Sequence, residues 1–180
     1  MTDDRGRYRV MTVCTGNICR SPMAEVVLRA RLDEAGLGDR VVVDSTGVSD
    51  EEHGNPIDRR ARAALAARGY PVPDRAARQV RASDLRERDL VLAMTASHAR
   101  ALRRIARDDE AASRVVMFRT FDPAAPRVAD VRDEHLLDVD DPWYGGPENF
   151  ETCLDEIEAA ADGVVDAVRA GLDGRDAATV

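Results

Sequence analysis

The sequence predicts an α/β fold: a single domain in which a parallel sheet carries helices on both faces. Three observations predict it. Short β-branched apolar runs alternate with longer helical patterns, turn residues fall between these units, and a tight Gly-containing loop follows the first run where open sheets of this class bind ligands.

The elements follow in order. "YRVMTV" (Tyr8–Val13) is a mainly apolar, β-branched run of strand length, and the helical pattern Pro22–Ala35 begins with a proline that suits a first helical turn. "VVVDS" (Val41–Ser45) is followed by a helix over Asp58–Arg68, and "LVLAM" (Leu90–Met94) by one over Ser97–Arg107. "VVMF" (Val115–Phe118) leads into an irregular acidic stretch and a last helix over about Pro147–Leu172. Gly36 and Gly38, Gly54-Asn55-Pro56, Gly69 with Pro71 and Pro73, Asp122-Pro123, Asp141-Pro142 and Gly145-Gly146-Pro147 mark the turns. A chain of 180 residues fits one domain, expected over residues 8–172. Residues 1–7 would be an N-terminal tail, and residues 173–180, small and polar, a flexible C-terminal one that frays.

Acidic side chains number 34 against 26 basic ones, for a net charge of −8, which argues against general affinity for nucleic acid or anionic membrane. The start of the chain lacks an apolar signal region and no run is long enough to span a bilayer, so the expectation is a cytoplasmic protein without membrane insertion. Three cysteines in such a chain are better read as thiols available for chemistry than as a disulfide framework. Cys153, alone in a helical segment, reads as packing.

Two of the three cysteines share the loop "VCTGNICRSP" (Val13–Pro22) with an arginine. Half a metal site, a redox pair and an anion cradle compete for it. The metal reading is weak, because His53, His98 and His135 are scattered and no second cysteine pair exists. The Gly-Lys-Ser/Thr ending of a nucleotide loop is also missing. In the cradle reading, the amides of Thr15, Gly16, Asn17, Ile18, Cys19, Arg20 and Ser21 curl around one tetrahedral anion at the start of a helix. Arg20 holds two anion oxygens through its planar fork, and the same amides stabilise Cys14 as a thiolate nucleophile. Ser21 is placed to donate to the sulfur.

The full "VCTGNICRSPMAE" resembles the signature of the low-molecular-weight protein tyrosine phosphatases, and "VVDSTGV", "GNPIDRRA", "LVLAM", "FDPAAP" and "DVDDPWYGGPENFE" follow in that family's order over roughly residues 8 to 170. The resemblance implies a four-stranded parallel sheet with a phosphate-binding loop after the first strand, hydrolysis through a phosphocysteine without metal or other cofactor, and an acid loop near the C-terminus. It implies Cys14 as nucleophile, Arg20 as phosphate clamp, Asn17 as loop brace supported by Ser45, Asp58 as a supporting carboxylate and Asp141 as general acid. Pro142 steers Asp141 toward extended geometry, which suits that role, although the residues alone do not choose Asp141 over Asp140. Trp143 and Tyr144, adjacent in a chain that is 4% aromatic, read as a pocket wall, with Ile18 expected in the same substrate pocket.

Two positions depart from the family pattern. Glu51 stands where relatives commonly carry an aromatic, so one pocket wall is expected to be remade with charge. Thr95 stands where they usually carry an aspartate, and its hydroxyl is expected to keep part of the hydrogen bonding to the loop. The predicted function is a protein tyrosine phosphatase, monomeric, acting on a phosphotyrosine-containing protein, with Cys14 and Cys19 able to pair on mild oxidation. A phosphoarginine phosphatase, a thiol-dependent arsenate reductase and a non-catalytic phosphate-binding regulator are the alternatives.

Overall fold

A computed structural model describes residues 6–178. Its sheet has four parallel strands in the order β2-β1-β3-β4, with β1 at Tyr8–Cys14, β2 at Val41–Gly47, β3 at Leu90–Ala93 and β4 at Val115–Met117. The helices are α1 (Arg20–Glu34), α2 (Arg59–Ala67), α3 (Ala82–Glu87), α4 (Ala96–Ala106), α5 (Asp109–Ser113) and α6 (Pro147–Ala178).

Both faces of the sheet are covered, which is why β3 and β4 read as continuous apolar runs rather than alternating ones. Successive side chains of a strand point to opposite faces. Val10, Val43, Leu90 and Leu92 join the core formed with Met23, Leu28, Phe150 and Ile157 of α1 and α6. Met11, Val13, Val91 and Ala93 join the second core with Leu85, Leu102 and Ala111 of α3, α4 and α5. Leu28 and Leu102 are fully buried, each worth about 1.5–3 kcal/mol relative to exposure.

The chain leaves β1 for the β2 edge and then crosses to β3 on the other side, so the sheet reverses its strand order beside the C-terminal end of β1. That crevice is where open α/β sheets hold ligands, and residues 15–19 lie there. Gly47, at the end of β2, makes the close approach possible: a Cβ on it would sit 2.4 Å from the Thr15 carbonyl oxygen.

Three boundaries differ from expectation. Helices α3 and α5 are present although they have only 6 and 5 residues, too few to show a period. The acidic stretch contains a 3₁₀ segment at Val131–Leu137. The last helix continues past Leu172 to Ala178, so residues 173–178 are helical and not a frayed tail. Its end is tied back: Arg175 stacks 4.9 Å from the Tyr8 ring and pairs with Asp89, and Arg40 pairs with Asp176 at 2.8 Å. Residues 1–5 of the expected N-terminal tail and residues 179–180 lie outside the described residues. No described helix is long and apolar enough to cross a membrane.

Candidate active site

Cys14 is the last residue of β1 and is only 3% exposed. Its sulfur lies 3.0 Å from Ser21 Oγ at the start of α1. Ser21 has one hydroxyl proton, which can go to that sulfur or to the Thr46 carbonyl 3.2 Å away, and its oxygen accepts from Asn17. The hydroxyl can therefore turn its proton to either acceptor.

Asn17 turns the loop. It adopts φ +62°, a left-handed conformation that asparagine tolerates better than most non-glycine residues, and it is fully buried. Its Nδ2 donates to Ser21 Oγ at 3.0 Å and to Ser45 Oγ at 2.9 Å. Its Oδ1 accepts from Arg75 Nη2 at 2.5 Å and from the Arg78 amide at 3.1 Å. Ser45 in turn donates to Glu25 at 2.6 Å, and Arg75 Nη1 donates to the Asn17 carbonyl at 3.1 Å. Beneath the loop lies a saturated polar network, in which removing one member would strand the others at about 1–3 kcal/mol per buried group.

Arg20 is 5% exposed and bridges the two loops of the site. Nη2 donates to Asp141 Oδ2 at 2.7 Å and Nη1 to the Val139 carbonyl at 3.2 Å. The other oxygen of Asp141, Oδ1, accepts from the Trp143 amide at 3.1 Å, which caps a short 3₁₀ turn at Pro142–Tyr144. Asp141 and not Asp140 lines the cavity above Cys14. The Asp140 amide donates instead to Glu156 at 3.2 Å.

The cavity holds about 260 Å³, and its lining includes Cys14, Arg20, Asp141 and the four expected wall residues Ile18, Glu51, Trp143 and Tyr144. Trp143 is 40% exposed and Tyr144 91%, so one ring forms the wall and the other stands at its rim. Glu52 lines the cavity too, with its carboxylate accepting from Asn55 at 2.6 Å. Asp58 caps α2 by accepting from the Arg60 amide at 2.8 Å, while its own amide donates to the Ile18 carbonyl at 2.8 Å. Burial opposes ionisation of Asp58, but the bonds from Arg60 outweigh it and hold the carboxyl below its ordinary range. Burial, with Asp58 nearby, pushes the Cys19 thiol far up, so Cys19 stays protonated. Cys153 is fully buried in the core, as packing requires, and burial pushes its thiol up to about 12.

The expectation for Thr95 needs correction. Its hydroxyl accepts from the His98 amide at 3.3 Å and caps α4, as a threonine before a helix does. The link to the phosphate loop from this side comes from His98, whose Nε2 lies 2.9 Å from Thr15 Oγ1. Burial, reinforced by Arg20, pushes His98 from 6.5 down to about 4. A histidine depressed in this way contributes stability that is complete above its unfolded value and is lost as pH falls from 6.5 toward 4. His98→Gln keeps a polar partner for the Thr15 hydroxyl, able to donate or accept, without a titrating ring. Between pH 7 and pH 4.5 the wild type should therefore lose roughly 2 kcal/mol more stability than the variant, as urea midpoints at the two pH values would show. Equal losses would mean that His98 is not held neutral.

The residues missed in the sequence are Glu25, Arg75, His98, Arg60 and Glu52. Glu25 carried a signal, a carboxylate inside the apolar run of α1, where it is 4% exposed. Arg75 carried none, because it lies in an irregular segment with no periodicity to orient it.

A four-stranded parallel sheet with C-x5-R-S at its switch point and an Asp-Pro loop on the same cavity defines a cysteine-loop phosphatase class. Residues 9–173 match the family model "Low molecular weight phosphotyrosine protein phosphatase". The chain is 49% identical over 170 residues to a low molecular weight protein-tyrosine-phosphatase of Streptomyces coelicolor, covering 94% of this chain and 99% of the relative. It is 44% identical over 157 residues to low molecular weight protein-tyrosine phosphatase A of Mycobacterium tuberculosis, covering 87% and 89%. Among solved structures, YfkJ from Bacillus subtilis superposes with a TM-score of 0.81 at 29% identity, covering 93% of this chain and 98% of that one. The protein tyrosine phosphatase of Entamoeba histolytica does so at 0.79 and 27%, covering 91% and 98%. The chain belongs to the low molecular weight phosphotyrosine protein phosphatase family, a family of enzymes.

Proposed function

We propose that the protein hydrolyses phosphotyrosine in protein substrates through a phosphocysteine intermediate. The observation that carries this reading is the convergence of Cys14, Arg20 and Asp141 on one cavity. In the first step Cys14 Sγ attacks phosphorus while Arg20 and the loop amides stabilise the equatorial oxygens. As the P–O bond breaks, Asp141 gives its proton to the departing phenolate. In the second step the Asp141 carboxylate takes a proton from water, the oxygen attacks phosphorus, and the thiolate leaves toward the Ser21 hydroxyl. Ile18 and Trp143 give the phenol ring apolar contact, which a guanidinium leaving group would not use as well. A self-contained arsenate relay is disfavoured because Cys153 is fully buried in α6.

Turnover of a phosphotyrosine peptide, blocked by vanadate and well above that of a matched phosphoarginine peptide, is the expected result. Binding without turnover would make the protein a phosphate-binding regulator instead.

Glu51 sets a further expectation. A stacked aromatic pair is worth about 0.5–1.5 kcal/mol, and here that contact is replaced by a carboxylate on the rim of a site for a phosphate dianion. Glu51→Trp should raise kcat/KM for an aryl phosphate by about two- to tenfold, since about 1.4 kcal/mol is a factor of ten. The gain should fall mainly in KM, because ground and transition states share a wall contact. Basic flanks on the phosphopeptide should help the wild type more than the variant. An unchanged KM with no flank preference would show that Glu51 does not meet the substrate.

A further inference from the structure

We propose that Arg60 is a positioning residue for the acid loop, acting on the reaction through Asp141. The inference rests on Asp141 being the proton donor.

Arg60 is the second residue of α2, and its guanidinium reaches four residues at once. Nε and Nη2 donate to the two oxygens of Asp58 at 3.1 and 3.3 Å. Nη1 donates to the carbonyls of Trp143 and Gly145, both at 3.1 Å. The central carbon lies 5.3 Å from the Trp143 ring and 4.6 Å from the buried Phe150 ring of α6. Those two carbonyls bracket the end of the turn that follows Asp141, and the Trp143 amide is the donor to Asp141 Oδ1. Holding Trp143 by its carbonyl and its ring therefore restrains the residue whose amide makes one of the two bonds that aim the acid. The other comes from Arg20.

The same unit reaches the nucleophile's loop. Asp58, held by Arg60, donates its amide to the Ile18 carbonyl at 2.8 Å. The phosphate loop, the start of α2 and the acid loop are thus joined through one ion pair, and the distance between thiol and acid is set from both sides. The pair is half-buried and joins residues only two apart, at side-chain exposures of 29% and 13%. Its value here is orientation, since a displacement of about 1 Å in a reacting group costs on the order of 100-fold. A lysine could not reproduce the arrangement: an ammonium has neither the planar fork for Asp58 and the two carbonyls nor the flat face for the rings.

The test is a set of aryl phosphates spanning leaving-group basicity, measured on the wild type, Arg60→Met, Arg60→Lys, Asp141→Asn and the double variant Arg60→Met/Asp141→Asn. Arg60→Met should lower kcat for the most basic leaving group by about tenfold and for the least basic by less than about twofold, with Arg60→Lys between, because help from an acid grows with the basicity of the departing oxygen. In the Asp141→Asn background the same substitution should change kcat by less than about twofold, as expected of residues that act as a unit. A uniform loss on every substrate, or an equal loss in both backgrounds, would overturn the positioning role. A leaving-group effect in Asp141→Asn without one in Arg60→Met would overturn it while leaving the acid intact. No leaving-group effect in Asp141→Asn would overturn the acid assignment itself, and the positioning role with it.

Discussion

Cys14→Ser is expected to abolish turnover of aryl phosphates and phosphotyrosine peptides while the fold and the phosphate site persist. The substitution exchanges one small buried atom for another at the end of β1, where Cys14 O still accepts from the Val48 amide at 2.9 Å and the side-chain atom still faces Ser21. What changes is the nucleophile, because a serine hydroxyl here has no base to take its proton and the loop's donors, arranged for a large polarisable anion, cannot supply one. Removing the nucleophile of a covalent mechanism costs on the order of 10⁴-fold or more. Cys19→Ser is the control: Cys19 shares the loop, but its thiol is held protonated by burial and it contributes a backbone amide that serine retains. It should keep most of the activity. The outcome that sinks the nucleophile assignment is a Cys14→Ser rate equal to wild type, measured with thermal unfolding and vanadate binding to verify the fold and the site.

What could be read from the sequence follows from how local each signal is. The four strands were legible because burial on both faces leaves short runs rich in apolar, β-branched residues, most plainly "LVLA" of β3, where every residue is buried. The loop after β1 was legible because thiol, glycine, asparagine and arginine sit close together in the chain, whereas the left-handed conformation of Asn17 within it was not read from the sequence. The cavity wall was legible as a set, down to Glu51 and Trp143. Interactions between distant segments were not. Arg75 reaches Asn17 across 58 positions, and Arg60 reaches Trp143 across 83. Nothing in either neighbourhood says which way those guanidinium groups turn. Thr95 shows the converse failure, in which comparison with relatives drew attention to the loop while a local rule, helix capping, accounts for its hydroxyl. The run of α6 to Ala178 also depends on distant partners, since Tyr8, Asp89 and Arg40 lie far from it in sequence.

Asp141→Asn should slow aryl phosphates with basic leaving groups by about 10²–10⁴-fold, the usual worth of a positioned general acid, and those with acidic leaving groups far less. The geometry distinguishes it from its neighbour. Asp141 borders the cavity and is held at both oxygens, Oδ2 by Arg20 at 2.7 Å and Oδ1 by the Trp143 amide at 3.1 Å. The amide of an asparagine can still accept from Trp143, so the turn at Pro142–Tyr144 survives while the proton source is lost. Loss of the ion pair with Arg20 is a second consequence, and it should act on every substrate alike if Arg20 clamps the phosphate as proposed, whatever group departs. The uniform part of the effect therefore measures the clamp, and the leaving-group-dependent part measures the acid. Asp140→Asn removes a charge that does not border the cavity and leaves intact the Asp140 backbone donor to Glu156, so its effect should stay within about threefold and show no dependence on the leaving group. A plot of log kcat against leaving-group basicity for the three proteins separates these terms: its slope should steepen in Asp141→Asn and stay at the wild-type value in Asp140→Asn. The reverse pattern would move the general acid by one residue and would make the Arg20–Asp141 pair a structural contact only.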